Sequence, residues 1–424
     1  MLEKETMRIW LITVGEPLPI DGNDTHLLRT GILANLLNAV GWDVVWWSSS
    51  FNHTAKQHRC GKDTTISVGS RFEIKLLHAM GYRSNLSLRR MLNHRGIAQK
   101  FTVLAEAETE PDVILCSFPT VELSRAATKY GRERGIPVVL DVRDLWPDVF
   151  LDMVPPKVRP LAHVLLRGMF KDTRTVFRRC TSIVAVSQGY LDWALRYANR
   201  EQTKKDLVFP LGYERPSPTA EQLRHAETKF SDLGVEPSKI VCWFVGIFGR
   251  TYDLEIVIDA ARHLQERGVD NIQFVLCGDG DYRATWEARS SGLTNVIFTG
   301  WVDASEIAYM ARISSIGLAA YAAGAPQGLP NKIFEYLAAG LPVLCSLKGE
   351  ARQLLQENEC GIEYDPMARA TFLAGLATLT ENRDLRIRMG ENAKQLFEDS
   401  YSSERIYPRL IDYLFGVAQR HVAT

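Results

Sequence analysis

The segment that decides the fold runs Gln327-Gly-Leu-Pro-Asn-Lys332-Ile-Phe-Glu335-Tyr-Leu-Ala-Ala-Gly340-Leu-Pro-Val-Leu344. Its second half is typical of a buried helix that leads into a buried strand. Lys332 and Glu335 stand three residues apart on the first turn of that helix, so we expect their side chains to be neighbours on one face. A carboxylate at a helix start is also favourable with the helix dipole, so a helix cap is the alternative to a ligand site.

Short β-rich runs alternate with helical patterns along the whole chain, which predicts parallel sheets covered by helices. The first series of strands is Met7–Val14, Asp43–Trp47, Phe72–Leu77, Val113–Cys116, Val138–Asp141 and Ile183–Val186. The second series is Ile240–Val245, Ile272–Cys277, Val296–Phe298, Ile316–Ala319 and Val343–Cys345. We therefore expect an α/β protein of two doubly wound, Rossmann-like domains that face a central cleft, where ligands of such sheets bind.

A proline-rich stretch, Leu207–Pro218, predicts the connection between the two domains. The predicted domains are residues 1–210, which would bind the acceptor, and residues 211–401, which would bind a nucleotide. Residues 402–424 read as a helix that we expect to pack back on the first domain.

Composition excludes several classes of protein. Fifty basic residues balance fifty acidic ones among 424, so no global charge favours nucleic acid. The seven cysteines are scattered and show no metal-binding spacing, which favours reduced core residues in a cytoplasmic protein. The sequence starts without the apolar core of a signal peptide, which argues against an exported two-lobed sugar-binding protein. The sequence contains no run of about 18 apolar residues, so we expect no membrane-spanning helix.

The loop after the first strand contains Gly15 and Gly22 and is followed by Asn23 and a helix. Glycine lets the backbone approach a ligand, and free N–H groups at a helix start attract an anion. Asp24 or Thr25 would cap that helix. The loop is predicted to bind the acceptor or a phosphate, and a plain strand–helix connection is the alternative.

Three charged residues, Asp141, Arg143 and Asp144, crowd the end of another predicted strand. The carboxyl ends of parallel strands are where an α/β sheet keeps its active groups, so these residues are candidates for contact with sugar or acceptor. A surface ion-pair cluster is the alternative interpretation.

In the second domain, Gly249 and Arg250 follow the first strand, and Gly278 and Gly280 follow the next. A guanidinium in that position can hold a phosphate through charge-assisted hydrogen bonds. No third glycine follows Gly280, so the pattern is not a dinucleotide fingerprint and argues against NAD.

The second half of the chain resembles the nucleotide-binding domain of family-4 retaining glycosyltransferases, which have the GT-B fold. The matching segments are Phe244–Arg250, Leu276–Gly280, Asn295–Val302 and Leu329–Val343. The resemblance implies that Glu335 holds the donor ribose, that Trp301 and Val302 border the base, and that Asn331 belongs to the donor site. The segment Asp141–Pro147 is similar to the branch that builds bacterial surface polysaccharides.

Several positions depart from the family pattern. Gln327 stands where the family usually has a first glutamate, and Asp253 stands near the position of a lysine that contacts the diphosphate. We infer that Lys332 supplies that charge instead. Arg143 replaces a histidine that is common in the first domain, which leaves the catalytic assignment there open.

The resemblance implies a retaining hexosyl- or N-acetylhexosaminyltransferase that uses a nucleotide diphosphate-sugar, with UDP-sugar as the expected donor. The acceptor would be a glycan or a polyprenyl-diphosphate-linked glycan. Arg250 and Lys332 would neutralise the leaving diphosphate, Glu335 would fix the ribose, and Asp144 would act from the first domain. A nucleotide-sugar epimerase or hydrolase is the alternative.

We expect no cofactor and metal-independent transfer, because the Asp-x-Asp sequence at Asp279–Asp281 reads better as a turn. Residues 155–179 mix seven cations and one acid with aliphatic residues, and a second basic patch surrounds Leu86. Such helices can lie on an anionic bilayer surface, which would place the protein peripherally on the inner face of the membrane. Solvated basic helix faces are the alternative.

Overall fold

The computed structural model describes residues 7–22, 25, 27–84, 87–152, 154–325 and 328–422. The chain forms two compact units, which are Met1–Leu211 with Ile406–Thr424 (unit 1) and Gly212–Arg405 (unit 2). The sequence-based division after residue 210 lies in the same proline-rich connection.

Unit 1 is built on an eight-stranded sheet with the order β10-β9-β8-β7-β1-β2-β6-β5, in which only β5 is antiparallel to its neighbour. A hairpin of β3 and β4 stands beside it. The strands are β1 Arg8–Ile12, β2 Asp43–Ser49, β3 Phe51–Asn52, β4 Gln57–His58, β5 Thr64–Gly69, β6 Phe72–Leu77, β7 Val113–Phe118, β8 Val138–Val142, β9 Ser182–Ala185 and β10 Leu207–Val208.

Helices follow or connect these strands in the described part of unit 1. They are α1 Arg29–Ala39, α2 Leu88–Leu104, α3 Val121–Arg134, α4 Asp148–Asp152, α5 Arg159–Leu165, α6 Arg167–Arg179 and α7 Gln188–Ala198. Helices on both faces bury the sheet, because every parallel connection must cross back over one face.

Unit 2 repeats this architecture around a six-stranded parallel sheet with the order β13-β12-β11-β14-β15-β16. Its strands are β11 Ile240–Val245, β12 Ile272–Cys277, β13 Val296–Gly300, β14 Ile316–Ala319, β15 Val343–Cys345 and β16 Gly361–Glu363. Its helices are α8 Ala220–Asp232, α9 Glu255–Glu266, α10 Arg283–Arg289, α11 Ala304–Ile313, α12 Asn331–Ala338, α13 Glu350–Glu357, α14 Arg369–Glu381 and α15 Arg383–Ser400.

The last helix, α16 (Ser403–Val422), joins unit 1 from Ile406 onward. Tyr407, Leu410 and Leu414 are buried in the apolar core that includes residues of β1 and β2. The predicted packing of this terminal helix on the first domain therefore has a physical basis in one buried apolar face.

The sequence missed the elements that lack a buried pattern. β5 alternates between exposed and half-buried residues at the sheet edge, and the β3–β4 hairpin is only two residues long on each side. The first helix begins at Arg29 with Leu28 as its N-cap, so the prediction that Thr25 caps it was wrong. Asp24, the other predicted cap, lies outside the described residues.

A chain of buried charges crosses the carboxyl edge of the unit 1 sheet. Asp141 at the end of β8 accepts hydrogen bonds from Arg29 Nε at 2.9 Å and from Arg143 Nε at 2.8 Å. Arg143 continues the chain to Glu16, and Arg29 also donates to the carbonyl oxygen of Pro210 at 2.8 Å. Asp141 has no exposed surface, so the ion-pair cluster is buried and not at the surface as the alternative interpretation had it.

Burial by itself would raise the pKa of Asp141, but the guanidinium groups of Arg143 and then Arg29 outweigh that effect and lower the pKa. The carboxylate therefore stabilises the fold above its usual pKa, and this contribution is lost as the pH falls below about 4.

We predict that Arg29→Met lowers the free energy of unfolding by about 3–5 kcal/mol, because it leaves Asp141 buried with one cation fewer. Arg125→Met is the matched control, since Arg125 pairs with Asp172 at 3.6 Å on the surface and should matter by less than about 1 kcal/mol. Urea unfolding at pH 7 measures both variants, and equal losses would contradict a special role for the buried pair.

Candidate functional site

Three loops meet at the carboxyl ends of β11, β12 and β13 in unit 2. The Phe248 amide donates to the Asp279 carbonyl oxygen at 2.8 Å, and the Gly278 amide donates to the Gly300 carbonyl oxygen at 2.8 Å. A Cβ atom on Gly278 would lie 1.9 Å from the carbonyl oxygen of Gly246, and its φ is +142°. Only glycine therefore permits this close packing of the loops.

Close packing of the loops by itself requires glycine at two of the predicted donor-binding positions, Gly278 and Gly280. A Cβ on Gly280 would lie 2.5 Å from the Phe248 carbonyl oxygen, whereas a Cβ on Gly249 would meet no atom within 4 Å. Arg250 follows on the same loop and is exposed. Contact of these residues with a nucleotide stays a prediction.

The Asp279–Asp281 sequence forms part of the loop after β12. Asp279 accepts hydrogen bonds from the Gly280 amide at 2.7 Å and from Arg283 Nη1 at 2.9 Å. Among the residues that the structure describes, no group of three or more histidine, cysteine, aspartate or glutamate side chains has a metal-binding arrangement.

Helix α12 carries Lys332 and Glu335. Its N-cap is Pro330, which makes no side-chain cap, and Asn331 at the first helical position is exposed. Neither Lys332 nor Glu335 acts as an N-cap, so the helix-cap interpretation was wrong. Gln327, where the family pattern has a glutamate, lies outside the described residues.

Lys332 points into a cage of aromatic rings. Its Nζ atom lies 3.3 Å from the ring centroid of Phe244, 4.0 Å from that of Tyr252 and 5.6 Å from that of Tyr321. The residue is only 5% exposed, and Nζ has no hydrogen-bond partner among the described residues. A Cβ built on Gly246 would lie 3.1 Å from this nitrogen, so the amine sits directly behind the loop that follows β11.

Two opposing effects act on the charge of this amine. At a desolvated site, cation–π attraction favours the ammonium form by about 2 kcal/mol, whereas burial of an ion costs several kcal/mol. Burial is the larger effect, and it holds the pKa of Lys332 well below its usual value although Glu335 opposes it. A nearby anion would raise this pKa and so favour the ammonium form.

Glu335 faces different surroundings from Lys332. The described part of the chain shows no ion pair within 4.0 Å between the two side chains, yet each charge shifts the pKa of the other. Glu335 is half-buried and lines a cavity of about 710 Å³ in unit 2, together with Tyr213, Arg215 and Arg312. Burial raises the pKa of Glu335 against the opposing effect of Lys332.

The loop after β13 places Trp301 and Val302 differently. Trp301 is 62% exposed, which leaves its indole open to a planar ligand. Val302 is half-buried and packs against the core that includes Ile333 and Tyr336. The exposed ring is therefore the part of this pair with freedom to touch a base.

Unit 1 holds a second cavity, of about 240 Å³, at the carboxyl ends of its central strands. Gly15, from the predicted ligand loop, and Arg143 line it. Gly22 is exposed, and Asn23 lies outside the described residues. Asp141 stands behind Arg143 in the buried ion-pair chain and does not line the cavity.

Asp144 is the remaining predicted residue of the first domain. Its carboxylate accepts hydrogen bonds from the Leu145 amide at 2.8 Å and from Trp146 Nε1 at 3.1 Å. Burial raises the pKa of Asp144, and the positive charge of Arg90 opposes that rise. Asp144 is thus near the cavity cations and does not belong to the cavity wall.

Sequence reasoning missed several residues of this cavity: Glu16, His53, Tyr82, Arg90 and His94. His53 was within reach of the sequence, because it follows a predicted strand by a few residues, in the position where the other candidates were found. The remaining residues come from loops and from the first two turns of α2, where no local pattern distinguishes a cavity wall from a solvated helix face.

Comparison with known proteins decides the class of unit 2. Residues 225–396 match the model of the family described as Glycosyl transferases group 1. This segment of unit 2 is therefore similar to the group 1 glycosyltransferases.

Relatives of this glycosyltransferase extend the similarity. A GDP-mannose-dependent alpha-(1-6)-phosphatidylinositol monomannoside mannosyltransferase of Mycobacterium tuberculosis is 28% identical over 269 residues, which cover 60% of this chain and 68% of the relative. O-antigen chain mannosyltransferase C of Escherichia coli is 22% identical over 277 residues, which cover 62% and 71%. Both relatives are described as mannosyltransferases, which favours glycosyl transfer over epimerisation for this chain.

Solved structures show the fold of the glycosyltransferase. Sucrose-phosphate synthase of Thermosynechococcus elongatus has a TM-score of 0.69 at 16% identity and covers 99% of this chain and all of its own. HepE of Anabaena, solved with UDP, has a TM-score of 0.65 at 14% identity and covers 97% of this chain and all of its own. The predicted GT-B fold, with two Rossmann-like units, is confirmed. A cleft between the units stays a prediction.

We predict that Lys332→Met raises the free energy of unfolding at pH 7 by about 1 kcal/mol or more, because it removes a buried amine that lacks a partner among the described residues. In the wild type the unfolded state binds the extra proton, so stability should rise with pH up to about 10, and the variant should lose that rise. Urea unfolding between pH 6 and 10 measures both effects.

The matched control is Lys348→Met, which removes an exposed lysine from the same unit and should leave stability and its pH dependence almost unchanged. Loss of stability in Lys332→Met would show that the ammonium form supports the fold, contrary to this prediction.

Proposed function

We propose that the enzyme transfers a hexosyl or N-acetylhexosaminyl group from a nucleotide diphosphate-sugar to a glycan or lipid-linked acceptor, with retention, in surface polysaccharide biosynthesis. The main support for the donor site is the environment of Lys332. Its buried Nζ lies behind the loop after β11 without a hydrogen-bond partner among the described residues. A buried amine of this kind costs stability, so its retention is best explained by an anionic ligand that the amine meets.

The donor would lie along the loops of unit 2. Arg250, which is exposed on the loop after β11, and Lys332 would neutralise the charge that grows on the leaving diphosphate. An approaching diphosphate favours the ammonium form of Lys332, so part of the binding energy would be used to protonate it. The aromatic cage would then hold the cation in place.

Glu335, which is half-buried, would accept hydrogen bonds from the donor ribose, as the family resemblance implies. The cavity that Glu335 lines contains none of the other proposed donor residues among its described lining residues. Trp301 and Val302 would border the base, and Gly249, Gly278, Gly280 and Asn331 would bring backbone and amide groups to the donor. We keep UDP-sugar as the proposed donor. The mycobacterial relative is described as GDP-mannose-dependent, so GDP is the competing nucleotide.

The acceptor would bind at the unit 1 cavity. Arg143 lines the cavity and is fixed by Glu16 and Asp141, so Asp141 would position Arg143 and would not touch the acceptor itself. Asp144 is proposed as the nearby acidic group, and Gly15, Gly22 and Asn23 as residues of a loop that binds the acceptor or a phosphate. Transfer is proposed to need no metal ion.

A lipid-linked acceptor would be reached from the membrane surface through α5. No residue of this helix is buried, and Leu161, Val164 and Leu165 are 59%, 57% and 76% exposed. Lys157, Arg159, Arg167 and Lys171 flank these aliphatic side chains in sequence. Aliphatic residues beside cations suit an anionic bilayer, and none of the described helices meets the length and apolarity that a membrane crossing requires.

We predict that one nucleoside diphosphate among UDP, GDP and ADP stabilises the wild type, by about 2.7 kcal/mol at a hundred times its dissociation constant. Glu335→Gln should lose most of that stabilisation, whereas Glu357→Gln, an exposed carboxylate on α13, should keep it. Thermal unfolding with each nucleotide, and with NAD as the negative control, makes the comparison. A stabilisation by NAD alone would refute the donor site.

Two further properties of the proposed reaction, retention and metal independence, can each be measured directly. The anomeric configuration of the transferred sugar, measured by NMR, tests retention. Activity that disappears with EDTA and returns with a divalent cation would overturn metal-independent transfer.

We predict that the wild type binds vesicles of phosphatidylglycerol and not vesicles of phosphatidylcholine, and that the double change Leu161→Glu and Leu165→Glu weakens this binding about tenfold or more. Val103→Glu is the control, because Val103 is also 70% exposed in unit 1 but lies on α2. Vesicle co-sedimentation measures the three proteins. Unchanged binding of the double variant would remove α5 from the proposed membrane contact.

A further inference from the structure

The unit 1 cavity has a wall that is unusually rich in basic side chains. His53, Arg90, His94 and Arg143 all line it. The Nζ atom of Lys56 adds a fifth basic group, 3.5 Å from His53 Nδ1. These residues come from the β3–β4 hairpin, from α2 and from the end of β8, so the fold gathers basic groups from three separate parts of the chain.

Acidic groups do not balance this wall. Glu16 is the one carboxylate among the described lining residues, and it accepts hydrogen bonds from the Thr30 hydroxyl at 2.8 Å and from Arg143. The nearby Asp144 is occupied by the Leu145 amide and the Trp146 indole. The described cavity wall therefore has more positive charge than negative.

Aromatic rings fix the basic groups in place. The Arg90 guanidinium lies 4.7 Å from the ring centroid of Trp146 and 5.6 Å from that of Tyr82. Tyr82 also brings its hydroxyl to within 2.6 Å of His53 Nδ1. Because the side chains are held before a ligand arrives, little conformational entropy would be lost when they bind one.

Burial first, and neighbouring cations second, keep the two histidines of the cavity neutral. Burial, then Lys56 and Arg90, lower the pKa of His53 to about 4. Burial, then Arg90 and His53, lower the pKa of His94 to about 3. Both imidazoles are therefore neutral at pH 7, and an anion among them would reverse the repulsion and favour their protonation.

We propose that this cavity binds a negatively charged group of the acceptor, a phosphate or a carboxylate, through Arg90, His53 and His94. The proposal deepens the acceptor site of the proposed function and rests on it. A neutral sugar offers the Arg90 guanidinium only uncharged acceptors, whereas a phosphate or carboxylate oxygen forms a charge-assisted hydrogen bond with it and also accepts from an imidazole N–H. The adjoining rings of Tyr82 and Phe51 would pack against the sugar that bears the anion.

The first experiment uses the full-length wild type and follows the imidazole resonances of its histidines by ¹H–¹⁵N NMR at pH 7. The probes are glucose 6-phosphate, glucuronate and the uncharged methyl glucoside. The proposal expects a charged probe to shift the resonances of His53 and His94 toward the protonated form, with saturation. Resonances that do not respond to either charged probe, or that respond equally to methyl glucoside, would overturn it.

The second experiment compares Arg90→Gln with Arg95→Gln by calorimetric titration of the charged probe. Arg95 is exposed on the same helix and does not line the cavity. The affinity should fall about tenfold or more in Arg90→Gln, because a charge-assisted hydrogen bond is lost, and by less than about twofold in Arg95→Gln. Equal losses in both variants would reduce the effect to general surface charge and refute the site.

The two anions separate the possible sources of charge. Preference for glucose 6-phosphate identifies a phosphorylated acceptor, and preference for glucuronate identifies an acidic sugar. Thermal unfolding of the same samples with UDP and GDP tests the donor site separately. Nucleotide stabilisation without anion binding would overturn this inference alone, and anion binding without nucleotide stabilisation would count against the proposed donor site alone.

Discussion

The cost of burying a charge without a partner governs both units of this glycosyltransferase. In unit 1 that cost is met inside the protein, because Asp141 is held between Arg29 and Arg143 and Arg143 is held in turn by Glu16. This chain of ion pairs fixes the carboxyl edge of the sheet, where α1, β8 and the loop after β1 come together. Such a pair adds little net stability compared with an apolar core. Removing one partner is costly, because the other charge then stays buried with neither solvent nor a counter-charge.

In unit 2, the cost of burying Lys332 is not offset by a hydrogen bond within the described part of the chain. Lys332 is buried among three aromatic rings, and its amine has no hydrogen-bond partner within the described part of the chain. Around it the loops after β11, β12 and β13 are tied together by backbone hydrogen bonds that glycine alone permits at position 278. Loops tied together in front of a buried amine without a hydrogen-bond partner are the arrangement from which we propose an anion site, in contrast to the paired charges of unit 1.

The family match and the cavities divide the proposed work between the units. The group 1 glycosyltransferase match lies within unit 2, where the loops, Lys332 and Glu335 are found. Unit 1 has the same type of sheet, but its cavity is lined by histidine, arginine and aromatic side chains contributed by a hairpin and by α2. Sheets of one architecture thus present different chemistry, because the loops at their carboxyl edges differ.

The sequence by itself determined the two parallel sheets, most strand positions and the glycosyltransferase motifs of unit 2, because buried strands and glycine turns leave local patterns. It also located Lys332 and Glu335 on one short helix. The tertiary structure was needed to show that Asp141 is buried against an arginine 112 residues away, and that His53, Arg90 and His94 share a cavity. Burial and pairing between distant segments depend on how the elements pack, and no local periodicity encodes them.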